Sequence, residues 1–335
     1  MIIAEQLSGT SSVNVEVANN PAVAISQFEV KFDADSAIRN KSLYGNGRMQ
    51  VRVVVLISVM DKDGNVVPLP KSVEESVFPI YYNGGQSLGG NWFVWGVEND
   101  YLHELPSNTL SKHGVLSETK TSNLNQQIPK PLEFWISSEI VGTAQIGAKV
   151  ELNGETIRTN NTGANKFDSS VTLNALLPVV YPIDYFSLQT VRVENAPSLS
   201  PMNKIYLSLN PPGRSVQLRR WQERNGSVGL PGSEVFRDVK APKIWTFFYA
   251  LAHEETKTYP VPLMNGGGTF PVSVNDRRGE LTLVSVLNYQ TASGPKKLGV
   301  FYFSAIDEYG TEHRLSLRPI FYADNQLKDI FLDRG

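Results

Sequence analysis

The chain has 335 residues, no cysteine, 19% charged residues and a formal net charge of −2. Its length predicts two or three domains and ample chain to bury several cores. The missing cysteines exclude disulfides, thiolate metal sites and cysteine nucleophiles, and the near-neutral charge leaves no basic field to gather nucleic acid or anionic lipid.

The chain opens with MIIAEQLSG, which lacks a basic region and places Glu5 where an apolar stretch should continue, so no signal peptide is expected. The first strong strand signal is Phe28, Val30 and Phe32 on one face. Tyr44-Gly45-Asn46-Gly47 reads as a tight reversal. Met49, Val51, Val53, Val55, Ile57 and Val59 then alternate first with polar and then with apolar residues, as in a central strand buried on both faces. Asp63-Gly64 follows as a hairpin turn. From Pro106 to Pro131 the text is polar, with little strand signal, and reads as a linker or extended arm. Asn153-Gly154 joins two alternating segments as a type I′ hairpin. Pro211-Pro212-Gly213 and Asn225-Gly226 mark further turns. A second boundary falls between Asp238 and Lys243, in competition with the Pro/Ser stretch from Asn195 to Pro201. Strand text continues over 244–251, 281–284, 300–306 and 311–322, and 324–332 could form a short terminal helix. The longest apolar runs, 53–60 and 244–252, fall far short of the roughly 20 residues of a membrane helix.

These signals predict an all-β protein of three tandem β-barrel or β-sandwich domains, jelly-roll-like, forming an elongated spike. The predicted divisions are 1–120, 121–243 and 244–335.

Motifs that carry chemistry are few, and no enzyme is expected. Gly85-Gln86-Ser87-Leu88-Gly89 fits G-x-S-x-G, but that elbow needs a following helix, and strand text follows here. His253-Glu254 is succeeded by Lys257 where a zinc site needs a second histidine. Asp61-Lys62-Asp63-Gly64-Asn65 begins like a calcium loop, then departs from it at Val66 and Ser72. Asp307-Glu308-Tyr309-Gly310 with Asp324 forms a second oxygen-rich candidate. Calcium is therefore the one cofactor considered, at Asp307, Glu308 and Asp324 or at Asp61 and Asp63. Aromatic clusters at 81–82, 92–95 and 244–249 suit either core packing or exposed platforms for sugar rings. Arg214, Arg219, Arg220 and Arg224 flank Trp221, but strand alternation splits the set, so no nucleic-acid partner is expected.

The cysteine-free all-β text, the N-terminal module ending near Pro106, the Ser/Thr/Asn/Gln-rich connector to Pro131 and the two further β-modules resemble the vertex spike proteins of corticoviruses, tailless icosahedral marine phages with an internal membrane. The resemblance spans the whole chain and involves no signature motif. It implies an N-terminal β-barrel at the five-fold capsid vertex, a middle stem, and a distal C-terminal domain that meets a host receptor; no receptor-binding residue carries over from the family, and the aromatic text around Trp245 and Tyr249 is the candidate contact in that domain. It also implies a pentamer beside the major capsid protein, a glycan as one form the receptor could take, room for bound calcium, and synthesis in the host cytoplasm before release in the virion. The alternative reading is a non-catalytic carbohydrate-binding or adhesin protein.

Overall fold

The computed structural model describes residues 21–33, 37–106, 129–162, 167–198, 200–223, 233–241, 244–251, 257–263, 268–289, 300–321 and 327–335. The first part of the chain runs β1 (Ala24–Lys31), β2 (Asn40–Tyr44), β3 (Val51–Met60), β4 (Val66–Val67), a one-and-a-half-turn helix α1 (Lys71–Ser76), β5 (Phe78–Tyr81), β6 (Trp92–Trp95), β7 (Lys130–Ser138), β8 (Gly142–Leu152), β9 (Glu155–Arg158) and β10 (Val171–Leu176). One sheet has the order β1-β3-β7-β6, with β4 also on β3. The other has the order β2-β10-β8-β5, with β9 also on β8. β2 and β10 run parallel; the other pairs are antiparallel.

The β-branched run of β3 explains its central place. Branched side chains fit a pleated surface buried on both sides. Val51, Val53, Val55, Ile57 and Val59 fill the inner face, and Val54 and Leu56 are buried on the outer one. Each such burial contributes about 1.5–3 kcal/mol. Phe28, Val30 and Phe32 cross from β1 and its exit to meet Leu43, Ile146 and Leu173 of the facing sheet in one core.

The second part begins with a 3-10 turn (Ile183–Tyr185), then β11 (Phe186–Arg192), β12 (Met202–Leu209), β13 (Leu218–Glu223), β14 (Ser233–Ala241), β15 (Ile244–Leu251), β16 (Lys257–Pro262), β17 (Thr269–Val274), β18 (Leu281–Tyr289), β19 (Phe301–Asp307), β20 (Glu312–Phe321) and β21 (Leu327–Arg334). The order β11-β12-β18-β15-β14 makes one sheet and β13-β19-β20-β21 the other, with β16 and β17 as a separate hairpin. β12 and β18 are covered on both faces. Ile205, Leu207, Leu281 and Leu283 join the large core with Phe303 and Leu315. Met202, Val284 and Val286 pack with Val261, Val272 and Val274 of the hairpin. A two-strand hairpin is marginal alone, and this one is held by that apolar contact.

The all-β expectation holds. The divisions do not match the pairing. β7 sits between β3 and β6, and β8 pairs β5, so a cut at 120/121 would separate hydrogen-bonded neighbours. The strands before and after the connector thus share one sandwich, because strand partners are chosen by face complementarity rather than by nearness in sequence. A cut at 243/244 divides a hairpin, since β14 pairs β15 from Ser233↔Leu251 to Ala241↔Ile244. The terminal segment expected as a helix forms β21 instead, where pairing with β20 satisfies its backbone. Among the described residues no helix is long and apolar enough to cross a membrane.

Candidate functional site

Two turns with the same design close hairpins in the two halves of the molecule. In the first, Asp61 Oδ1 accepts from the amides of Asp63 and Asn65, both at 2.9 Å. Asp61 N donates to Asn65 O, Gly64 N donates to Asp61 O, and Gly64 has φ +82°. In the second, Asp307 Oδ1 accepts from Tyr309 and Thr311, both at 2.9 Å. Asp307 N donates to Thr311 O, Gly310 N donates to Asp307 O, and φ of Gly310 is +78°. The leading aspartate locks each turn from inside, and the glycine supplies the left-handed residue that the reversal requires.

This geometry accounts for the oxygen-rich patterns in the sequence. Asp61 and Asp307 are buried and spend their carboxylates on amides of their own turns, whereas Asp63 is exposed and Glu308 is buried beside Asp307. Among the described residues no three acidic or histidine side chains converge. Asp324 lies outside the described residues. Trp245 and Tyr249 lie on β15, interior to its sheet and opposite Asn288 and Val284 of β18, and their side chains are outside the described set.

The second turn does more than close a hairpin. Asp307 Oδ2 lies 3.1 Å from His313 Nε2, with both side chains 1% exposed. The His313 ring meets Tyr181 at 5.6 Å and Phe186 at 5.3 Å. The turn also reaches the first sandwich. Asn46 Nδ2 donates to Tyr309 O at 2.8 Å, Arg48 Nη1 to Gly310 O at 3.3 Å, and Leu102 N to Glu308 O at 2.8 Å. Tyr44 and Tyr309 meet edge to face at 6.1 Å, and Arg220 bridges to Asp100 at 2.9 Å. Arg214 donates to the Tyr181 hydroxyl. Burial pushes Tyr309 up to about 12 and raises Tyr44 and Tyr181 as well. Burial also raises the Glu308 carboxyl, against the pull of the Gln217 backbone. This is a packed polar junction, buried around Asp307, Glu308 and His313 and exposed at the Arg220–Asp100 pair.

The surface best built for a ligand is on β6, an edge strand. Alternation separates its aromatics: Trp92 is in the core, while Trp95 is 47% exposed. Phe93 lies two positions away on the same face, its ring 6.3 Å from that of Trp95 and tilted by 32°. The indole Nε1 donates to Ser137 Oγ at 3.0 Å, which pins its edge and leaves a face to solvent. Behind it is Trp135, the cross-strand partner of Trp95, whose ring meets His103 at 4.6 Å. His103 is held between the Gln50 carbonyl, 3.2 Å from Nδ1, and Glu98, 2.9 Å from Nε2. A fixed, partly exposed aromatic ledge can stack against the C–H face of a sugar ring. The sequence groups Trp92 with Trp95 and offers no sign of the support from Trp135, on a strand beyond the connector, or from His103, in the segment that follows β6.

Ser87 does not sit on a strand-to-helix elbow. It pairs with Ile80 in an isolated bridge, and β6 is the next element. No protein-family model and no curated protein matches the chain.

Proposed function

We propose that this chain is an attachment protein, a spike at virion five-fold vertices that meets a receptor on the host cell surface. In this reading it acts as a pentamer beside the major capsid protein. The resemblance of the whole chain to corticovirus spikes supports the proposal, and so does its all-β build. The observation that carries it is the keyed junction. Paired modules swing relative to each other by default, and a spike that hinges would not hold its tip away from a shell. Here three hydrogen bonds from Asn46, Arg48 and Leu102, together with the Tyr44–Tyr309 contact, fix the β19–β20 turn against the first sandwich. Several weak tips then act together, since effective concentration multiplies modest affinities. The carboxylates of Asp61 and Asp307 are already engaged, and the proposal includes no ion.

The test is competition. Susceptible marine bacteria are incubated with the purified chain and then challenged with their tailless phage. Plaque counts are expected to fall in proportion to dose with folded chain and to stay unchanged with heat-denatured chain. Undiminished plaques with folded chain would overturn attachment. A second reading, a carbohydrate-binding protein with no virion, is favoured by the Trp95 ledge. It expects saccharide affinity in a monomer that Trp95→Ala removes, with no effect on plaques.

A further inference from the structure

A cleft of about 520 Å³ opens on the outer face of the β2-β10-β8-β5 sheet, where the loop after β5 curls over β9. Its lining is mainly polar and includes Asn83, Gln86, Ser87, Lys149, Arg158 and Asn160. Lys149 and Arg158 are direct cross-strand partners on β8 and β9. Like charges in that relation destabilise a sheet. Among the described residues neither cation has an ion pair or a side-chain hydrogen bond. Asp168 accepts from the Tyr82 hydroxyl at 2.5 Å, and Glu151, two residues along β8 from Lys149, is exposed.

The cleft is also held in shape. Asn160 Nδ2 donates to Tyr82 O at 3.1 Å, tying the loop to the exit of β9, and Thr162 donates to Asn160 Oδ1 within that exit. Gly85, at φ +70°, comes so close that a Cβ there would lie 3.3 Å from Arg158 Cδ and 3.2 Å from Asn160 Nδ2. The loop backbone therefore packs closely on the arginine stem, which lines the cleft. Two uncompensated cations at the mouth of a hydroxyl- and amide-lined cleft match one ligand chemistry, an anionic group carried on a polyhydroxylated scaffold.

We propose that this cleft binds an acidic saccharide, with Arg158 and Lys149 holding its carboxylate or sulfate and Asn83, Gln86, Ser87 and Asn160 meeting its hydroxyls. The cleft is a separate site from the aromatic ledge, and its test does not depend on the attachment reading.

The experiment is a calorimetric titration of the full chain carrying Trp95→Ala, which removes the ledge as a competing sugar surface. The probes are an oligouronate, a sulfated maltotriose, unmodified maltotriose and inorganic sulfate. The acidic sugars are expected to bind and unmodified maltotriose not to. Arg158→Ala and Lys149→Ala are each expected to weaken binding about tenfold or more, as the loss of a charge-assisted hydrogen bond should. Lys62→Ala, an exposed cation on the Asp61 turn, should leave it unchanged. Lys149→Ala should also raise the melting temperature, because it relieves the facing charges. That separates lost binding from lost folding. The proposal is overturned if the folded chain ignores the acidic sugars, if Lys62→Ala weakens binding as much as Arg158→Ala, or if inorganic sulfate binds as tightly as the sulfated sugar. Plaque competition can fail while this titration succeeds, so the two proposals fall separately.

Discussion

Asp61 and Asp307 occupy the same position in the same turn, yet burial gives them different weight. Around Asp61 the donors belong to an exposed hairpin tip, and water can replace the lost acceptor. Asp61→Ala should therefore cost about 1–2 kcal/mol. Asp307 accepts two amides and faces a 1%-exposed histidine. Asp307→Ala leaves all three without a partner and should cost about 3 kcal/mol or more, measured by chemical unfolding. Glu308 offers a test in pH. Burial holds its carboxyl above the ordinary 4.5, so the folded state favours the protonated acid. Its contribution to stability is full below that value and is lost as pH rises through the raised one. Glu308→Gln, fixed neutral, should melt higher than the wild type near pH 7 and no differently near pH 4. At this scale the sequence was legible in pattern but not in purpose. Alternating oxygens mark both turns, but the same spacing serves a calcium loop and an amide-capped reversal. The two diverge only when the backbone amides are placed.

The glycines of these turns separate local from tertiary constraint. Gly64 and Gly310 share a positive φ, but a Cβ on Gly64 meets nothing within 4 Å, whereas one on Gly310 would lie 2.6 Å from Arg48 Cβ. Gly64→Ala should cost about 1 kcal/mol, the strain of the left-handed conformation alone. Gly310→Ala should cost clearly more and should loosen the contact with the first sandwich, seen as faster hydrogen exchange at the Leu102 amide. Hairpins with short-range signals read well. Asn153-Gly154 has φ 51° and 81° between β8 and β9, as a type I′ turn requires. What did not read is partner choice. The parallel β2–β10 pair joins Asn40–Tyr44 to Val171–Leu176, and nothing local in either strand names the other. β21 carries apolar residues that suit a short helix as well as a strand, and the free edge of β20 decides between them.

Across the whole molecule, the first sandwich is discontinuous in sequence. A fragment of residues 1–120 lacks β7, β8 and β10, and hence one partner of β3 and the strand partners of β5 and β2. It should show no cooperative unfolding transition by circular dichroism. A fragment of residues 1–180 carries all ten strands and should show one. The exposed apolar residues Ile140, Val141, Leu176 and Leu177 lie at one end of that sandwich, beside the Gly45 turn, whose amide bonds to Leu176 O. They belong to the same long-range closure that the polar connector hides from the reader of the sequence.

The placement of β7 has a consequence for synthesis. β3 has its β1 partner from the outset and β4 soon after, opposite Val59 and Met60, but along Val51–Ile57 its other edge is closed only by a strand that begins at Lys130. At about 5–20 residues per second, translation from Met60 to Lys130 takes several seconds. Throughout that interval the valine-rich stretch Val51–Ile57 offers the ribosome's surroundings a bare edge, an arrangement prone to pairing with a neighbouring nascent chain. Yield of this protein should therefore fall with polysome density and rise with chaperones that shield strand edges.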